Sequence, residues 1–259
     1  MKRFIYSTLT MTALAAGVFC GCAPRQTACS VPVIPSPAPV SHAAPDPAEL
    51  TLKAAIPVVE PAAVATPVVI LGDKSLFDGQ TLSGWKITDY GGRGEVEVRD
   101  GQILVGMGAE LTGIHWTNAA ALPRQNYEIE LEAMKLQGTD FFCGLTFPVG
   151  DAHATLVCGG WGGGVLGISS IDFMDASEND TSRTMYFEPN KWHRIRLRVL
   201  PKALAVWIDD KQVVDVAIEG RRISMRPGDI EMSTPLGITT WQTASTFRNI
   251  TLRSVPEGK

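Results

Sequence analysis

The sequence predicts an all-β head, a two-sheet antiparallel sandwich of the jelly-roll kind, from three observations. Apolar and polar residues alternate over short runs, turn-forming dipeptides separate the runs, and helical periodicity is almost absent. Residues 69–255 carry this pattern and are long enough for one sizeable core.

The segments before the head read differently. Met1-Lys2-Arg3 gives a positive start, and Phe4 to Phe19 is an apolar stretch too short and too abruptly ended for a membrane span. Residues 1–22 therefore read as a signal peptide, and the protein is expected to be exported. Phe19-Cys20-Gly21-Cys22 looks like a loose bacterial lipobox in which Cys22, preceded by Gly21, is the expected acylation site. Ordinary leader cleavage is the competing reading. Lipid anchoring would place the protein in the bacterial cell envelope, at the outer membrane or in the periplasm, tethered to the membrane without spanning it. Residues 23–68 hold ten of the seventeen prolines and no aromatic residue. Such a segment cannot bury enough apolar surface to offset its chain entropy, so a disordered, semi-rigid spacer is expected. Cys29 and His42, inside it, read as bystanders.

Within the head, Glu95 to Val98 and Gln102 to Val105 flank Asp100-Gly101, a dipeptide suited to a tight hairpin turn. Tyr127, Ile129 and Leu131 alternate with Glu128, Glu130 and Glu132, whereas His193, Ile195, Leu197 and Val199 alternate with Arg194, Arg196 and Arg198. Opposite charges across a strand pair attract, so these two strands are expected to be neighbours, each with one wet face. Leu204, Val206 and Ile208 lead into a turn at Asp209-Asp210-Lys211-Gln212, and Val213 to Val216 returns. Trp192 and Trp207 read as packing residues at strand ends.

The most informative block is Asp140 to Phe147 followed by Gly150-Asp151 and Ala154 to Trp161. With Gly150-Asp151 as a two-residue turn, paired positions sum to about 301, which sets Cys143 opposite Cys158 and Asp140 opposite Trp161. One face then carries Phe141, Cys143, Leu145, Phe147, Ala154, Leu156 and Cys158, all suited to a core. The other carries Asp140, Phe142, Gly144, Thr146, Thr155, Val157, Gly159 and Trp161, the aromatic, hydroxyl and glycine mixture that a sugar site needs. An ordinary solvent-exposed face has a similar composition. The opposed cysteines are read as packed thiols rather than a disulfide, because a hydrogen-bonded pair is poorly placed for the bridge.

Gly159-Gly160-Trp161-Gly162-Gly163-Gly164 lacks the following helix of a phosphate loop and reads as a bulged connection into a strand over Val165 to Asp172. The polar segment after it holds Asp172, Asp175, Glu178, Asn179 and Asp180, oxygen acceptors of the kind that coordinate calcium. Their spacing is not that of an EF-hand, and a solvated loop is the simpler reading.

Leu76-Phe77-Asp78-Gly79 to Trp85, Leu236 to Trp241 and Phe247-Arg248-Asn249-Ile250 frame the head. With Asp140 to Gly144, the Trp161 glycine segment and Gly167 to Asp172, they resemble a lineage within the 3-keto-disaccharide hydrolase domain family, also known as domain of unknown function 1080. The resemblance covers about Ser75 to Arg253 and implies a concanavalin A-like lectin/glucanase fold, with the framing residues closing the sandwich. It also implies a carbohydrate ligand or substrate, and in some members cleavage of glycosides oxidised at C3. A C3 ketone acidifies the C2 hydrogen, so a carboxylate or His can remove it while donors or a cation hold the enolate. Loss of the C1 substituent and addition of water then complete a hydrolysis. Candidate bases here are Asp140, Asp172, His153 and Glu178, His153 also reading as an exposed turn histidine. Candidate ligand contacts are Phe142, Thr146, Thr155, Gly159 and Trp161. Phe141-Phe142-Cys143-Gly144-Leu145 replaces the family's commoner Asn-Ser-Gly-Ile-Phe.

Three classes follow. The head is a keto-glycoside hydrolase or lyase, a non-catalytic carbohydrate-binding module on a lipoprotein stalk, or a structural envelope domain. Convergence of two or more of the four candidate bases on one pocket favours the enzyme; their dispersal removes it. A net charge of −4 without a basic cluster argues against a nucleic-acid partner. A divalent cation such as calcium is the one cofactor the acidic loop suggests.

Overall fold

The computed structural model describes residues 74–256. The expected leader over 1–22, with Cys22, and the spacer over 23–68 lie outside the described residues.

In chain order the strands are Lys74–Ser75 (β1), Trp85–Ile87 (β2), Val96–Arg99 (β3), Gln102–Val105 (β4), Leu111–Trp116 (β5), Tyr127–Gly138 (β6), Cys143–Val149 (β7) and Ala152–Gly159 (β8). Val165–Ser169 (β9), Arg183–Thr184 (β10), Trp192–Val199 (β11), Ala203–Ile208 (β12), Lys211–Ala217 (β13), Gly237–Trp241 (β14) and Thr243–Ser254 (β15) follow. They form two antiparallel sheets. One has the order β13-β12-β11-β6-β15-β4-β3, with β1 also on β15, and the other β10-β9-β8-β7-β14-β5-β2. The fold is the expected all-β jelly-roll sandwich. Right-handed helical geometry among the described residues is confined to two short 3-10 turns, at Ala119–Ala121 and Asp229–Ser233; the Gly160–Gly163 turn is built on left-handed residues instead.

The inner faces supply the core. Tyr127, Ile129, Leu131, Leu197, Val206 and Phe247 from the first sheet meet Leu145, Phe147, Leu156, Ile168 and Ile238 from the second, all at most 1% exposed. Each such side chain contributes about 1.5–3 kcal/mol by leaving water.

The expected pairing of the glutamate and arginine strands is present. Arg194 lies opposite Glu132, Arg196 opposite Glu130 and Arg198 opposite Glu128. The wet face is not wholly wet, however. Glu128 is 1% exposed, because its carboxylate accepts Nε–H bonds from Arg198 at 2.6 Å and Arg253 at 2.5 Å. Trp207 covers Arg196 and Arg198, with its ring centroid 4.1 and 5.2 Å from their guanidinium carbons, and Trp192 covers Arg248 at 4.0 Å. Both tryptophans pack, as expected, but on arginines rather than in the core.

The first framing segment closes the sandwich. Asp78 accepts backbone N–H bonds from Gln80 and Thr81, turning the chain so that Phe77 and Trp85 are buried. Trp85 donates its indole N–H to the Leu76 carbonyl and meets Trp116 edge-on at 5.3 Å. Gly84 is required at φ +84°, where an added Cβ would lie 2.5 Å from the Trp116 ring.

Candidate functional site

The hairpin of β7 and β8 has the predicted register, with Cys143 opposite Cys158 and Val149 opposite Ala152. Both cysteines are buried and free. A hydrogen bond that the Cys158 thiol donates to Cys143, and then burial, push the Cys158 thiol well above its usual range, so neither chemistry nor position suits a nucleophile.

The alternation breaks one residue before β7. Phe142 donates its N–H to the Cys158 carbonyl at 3.1 Å, and its side chain is fully buried against Phe187 at 4.8 Å. Phe141 faces outward instead, its carbonyl accepting the Trp241 N–H at 3.0 Å. The ladder ends here because Asp140 leaves the strand: its two carboxylate oxygens accept the N–H groups of Phe141 at 2.8 Å and Gly162 at 3.0 Å. Asp140 thus clasps the glycine segment rather than facing Trp161 across a ladder. Within that segment Trp161 adopts a left-handed conformation, φ 51° and ψ 53°, between Gly159 at φ 80° and Gly162 at φ 83°. Such backbone is costly for a bulky residue and is held only where surroundings enforce it. It presents the indole to solvent, 44% exposed.

These features open onto a cleft of about 490 Å³ on the outer face of the second sheet. Its floor is Thr155 and Val157 of β8 with Ser169 of β9, paired opposite Thr155. Phe141, Trp161 and Trp241 give it three aromatic walls, and Asp140 and Glu110 stand at one side. The segment Arg226 to Ile230 forms the remaining wall. That segment is pinned twice: Arg226 pairs with Asp175 at 3.1 Å, and Ser233, just beyond it, is 2.6 Å from the Thr146 hydroxyl. Thr146 in turn lies 2.9 Å from Thr155. Asp175 also accepts the hydroxyl hydrogens of Ser169 at 2.9 Å and Ser170 at 3.1 Å.

Of the residues expected from sequence, the structure brings Asp140, Thr155 and Trp161 together in this cleft. Thr146 lies fully buried beneath its floor, and Gly159 is packed under Phe142. Phe142 belongs to the core; the outward aromatic position falls to Phe141, because the chain leaves strand geometry at Asp140. The other three candidate bases lie outside the cleft lining. His153 is on β8 opposite Pro148, where burial and then the charge of Arg124 hold its pKa below the usual histidine range. Asp172 accepts hydrogen bonds from the Arg222 N–H and Arg221 Nε–H, both at about 2.8–2.9 Å, which hold its pKa below the usual range. Glu178 closes a turn on the Asp175 N–H. The acidic loop is accordingly a set of arginine clamps: Arg221 also reaches Asp180 at 2.7 Å. No group of three or more His, Cys, Asp or Glu residues among the described residues is arranged to hold a metal ion.

Sequence reasoning missed Glu110, Arg226, Asp229 and the role of Trp241. Trp241 was within reach: Ile238 points inward, so period two sends Thr239 and Trp241 outward, beside Gly144 and Phe141. Loop residues 226–229 carry no such signal, since contacts with Asp175 and Thr146 place them.

The family described as the 3-keto-alpha-glucoside-1,2-lyase-like domain matches residues 72–253. No curated protein matches the chain. Similar solved structures include the carbohydrate-binding module CBM66 from Bacillus subtilis, at 14% identity and TM-score 0.46, with 66% of this chain and 96% of that chain covered. The Crh5 transglycosylase solved with NAG has 10% identity, TM-score 0.49 and coverage of 73% and 86%. Domain 4 of the arabinanase AbnA from Geobacillus stearothermophilus, solved with arabinotriose, has 13% identity, TM-score 0.43 and coverage of 66% and 82%.

Proposed function

The chain belongs to the 3-keto-alpha-glucoside-1,2-lyase-like domain family, and from that premise we propose that its head binds a saccharide in the cleft between Trp161 and Trp241. The observation that carries this is the cleft lining itself. Aromatic side chains cover the apolar face of a pyranose, while Thr155, Ser169 and the acidic side chains pair with its hydroxyls. Binding is the reading supported best, because His153, Asp172 and Glu178 lie outside the cleft lining and only Asp140 of the four candidate bases is in it.

The dispersal of Asp140, His153, Asp172 and Glu178 removes cleavage through that set; cleavage of a 3-keto-glycoside remains as a second reading on one other observation, that Glu110, Asp140 and Asp229 line the same cleft as Arg226. There a carboxylate would take the proton from C2, and the electron pair would pass into the C2–C3 bond as the enolate forms. Return of that pair would expel the C1 oxygen, which takes a proton from a second acid, leaving a 1,2-alkene conjugated to the ketone. Water addition across it would complete a hydrolysis.

Calorimetric titration with a panel of neutral oligosaccharides and 3-keto-glucosides tests both readings. Trp161→Ala and Trp241→Ala are each expected to weaken binding about tenfold, near 1.4 kcal/mol. No binding across the panel, or variants indistinguishable from the parent, overturns the binding reading. Turnover of the 3-keto-glucosides, tested with and without chelator and abolished in Asp140→Asn or Asp229→Asn, would establish cleavage; binding without turnover removes it.

We also infer that the head is exported and lipid-anchored in the cell envelope. Support comes from the apolar Phe4 to Phe19 stretch, Gly21-Cys22 and the proline-rich segment over 23–68. Radiolabelled palmitate is expected to enter the parent and not Cys22→Ser; equal labelling, or none in either, refutes anchoring at Cys22.

A further inference from the structure

The direction of each hydrogen bond beneath the cleft floor follows from one fixed end. Ser233 donates its hydroxyl proton to the Ile230 carbonyl at 2.5 Å, so the 2.6 Å contact between Ser233 and Thr146 is donated by Thr146. A hydroxyl has one proton to give. With that of Thr146 engaged, the 2.9 Å contact between Thr146 and Thr155 is donated by Thr155. Thr146 and Ser233 are both 0% exposed, so solvent has no access through which to reverse the order. The Met225 sulfur, 3.8 Å from the Thr155 hydroxyl, is a weaker acceptor, and a proton given to it is equally engaged within the protein.

Ser169, opposite Thr155 on β9, reaches the same state through a separate partner. Its proton goes to the Asp175 carboxylate at 2.9 Å, and that carboxylate, paired with Arg226 at 3.1 Å, only accepts. Both floor hydroxyls therefore turn lone pairs alone towards the cleft. The side-chain donors of the lining, Arg226 and the indole N–H groups of Trp161 and Trp241, stand in its walls. Opposed residues of an antiparallel ladder lie about 4.5–5.5 Å apart at Cα, which sets the two acceptors at a spacing suited to neighbouring hydroxyls of one ring.

We propose that Thr155 and Ser169 select a sugar that points two neighbouring hydroxyls at the floor as hydrogen-bond donors, and reject the same sugar where either hydroxyl is a ketone, an ether or an ester. The proposal rests on the carbohydrate-binding reading of the same cleft and adds the chemical class of its ligand, a ring unoxidised and unsubstituted on the face that meets the floor. A ketone there sets lone pairs against lone pairs, and the two acceptors, each 3% exposed, lose the bond that would offset their burial. An oxidised sugar fits only with its carbonyl turned to the donors of the walls.

The test is calorimetric titration of the full-length protein with methyl glucoside, methyl galactoside and methyl mannoside. The tightest of the three is then compared with its deoxy, deoxyfluoro and keto derivatives at C2, C3 and C4. Fluorine and a ketone oxygen accept hydrogen bonds but donate none, so at two adjacent positions all three changes are expected to weaken binding about tenfold or more. Fluorine or a ketone that restores the affinity a deoxy change removes, or derivatives that all bind as the parent does, overturns the proposal while leaving carbohydrate binding standing. No binding by any of the three glycosides overturns both. Ser233→Ala checks the origin of the selection from outside the cleft lining: it releases the Thr146 proton to turn towards Thr155, which then has its own to offer the ligand. The penalty for fluorine at one of the two positions should fall in that variant by about threefold or more, and an unchanged penalty at both positions overturns the proposal.

Discussion

Glu128, 1% exposed and held between Arg198 and Arg253, shows how the environment of one side chain decides its energetics. Burial pushes its carboxyl up, but hydrogen bonds and charge from the two arginines outweigh that and hold it below the ordinary glutamate value of 4.5. Glu128→Gln leaves the guanidinium groups without their shared anion, and an expected loss of about 3–5 kcal/mol in urea unfolding follows. A loss under about 1 kcal/mol would mean that solvent reaches the pair. The glutamate and arginine alternation made this contact visible as a pairing, but nothing in it marked Glu128 as buried while Glu130 and Glu132 stay partly exposed. Glu128 is held from both flanking strands, by Arg198 of β11 and Arg253 of β15, whereas Glu132 is met by Arg248 of β15 while Arg194, opposite it on β11, turns to Asp210.

Strand register was the most legible level of the structure. A single turn, Gly150-Asp151, fixed the partners of all of β7, because each position of an antiparallel ladder follows from the last. The same rule failed at Phe141 and Phe142, where Asp140 turns its carboxylate on the backbone and ends the ladder, so the two rings exchange faces. Close backbone approach was equally invisible. Gly113 of β5 lies where an added Cβ would sit 2.3 Å from the Ile238 carbonyl oxygen of β14. Gly113→Ala must therefore spread two central strands, and an expected cost of about 2 kcal/mol or more, read by thermal unfolding, exceeds the usual alanine gain in a strand. Gly101→Ala, whose Cβ meets nothing within 4 Å, carries only the strain of its φ of +75° and should cost about 1 kcal/mol.

At the scale of the whole head, titration gives stability a two-step acid limb. Burial and a neighbouring cation, Lys86 for His115 and Arg124 for His153, lower both histidine pKa values below 6.5. A lowered histidine binds fewer protons folded than unfolded, so its contribution is complete above pH 6.5 and is lost as pH falls through the folded value. For Asp209, burial acts upward but the His193 and Arg194 hydrogen bonds prevail, and with Glu128 and Asp172 its carboxyl is depressed. Their contribution is present above about pH 4.5 and is lost below it, through the still lower folded values. Thermal midpoints measured from pH 8 to 3 should therefore decline first below about 6.5 and again below about 4.5. His115→Gln/His153→Gln should flatten the first decline and leave the second; an unchanged first decline would place its cause elsewhere. The sandwich itself was legible from alternation and turns. The cleft was legible only where strands line it, because its loop wall is set by contacts between residues distant in sequence.

The last two strands also govern when the head is able to fold. β14 sits between β7 and β5, and β15 between β6 on one edge and β4 and β1 on the other. Each sheet therefore lacks an interior strand until residues 237–254 have been made, and the earlier strands wait with open hydrogen-bonding edges at the gap. A ribosome releasing this chain from its N-terminus delivers the keystone of both layers last. Closure of both sheets is thereby postponed to the end of synthesis, and the earlier strands are the ones exposed to mispairing in the interval.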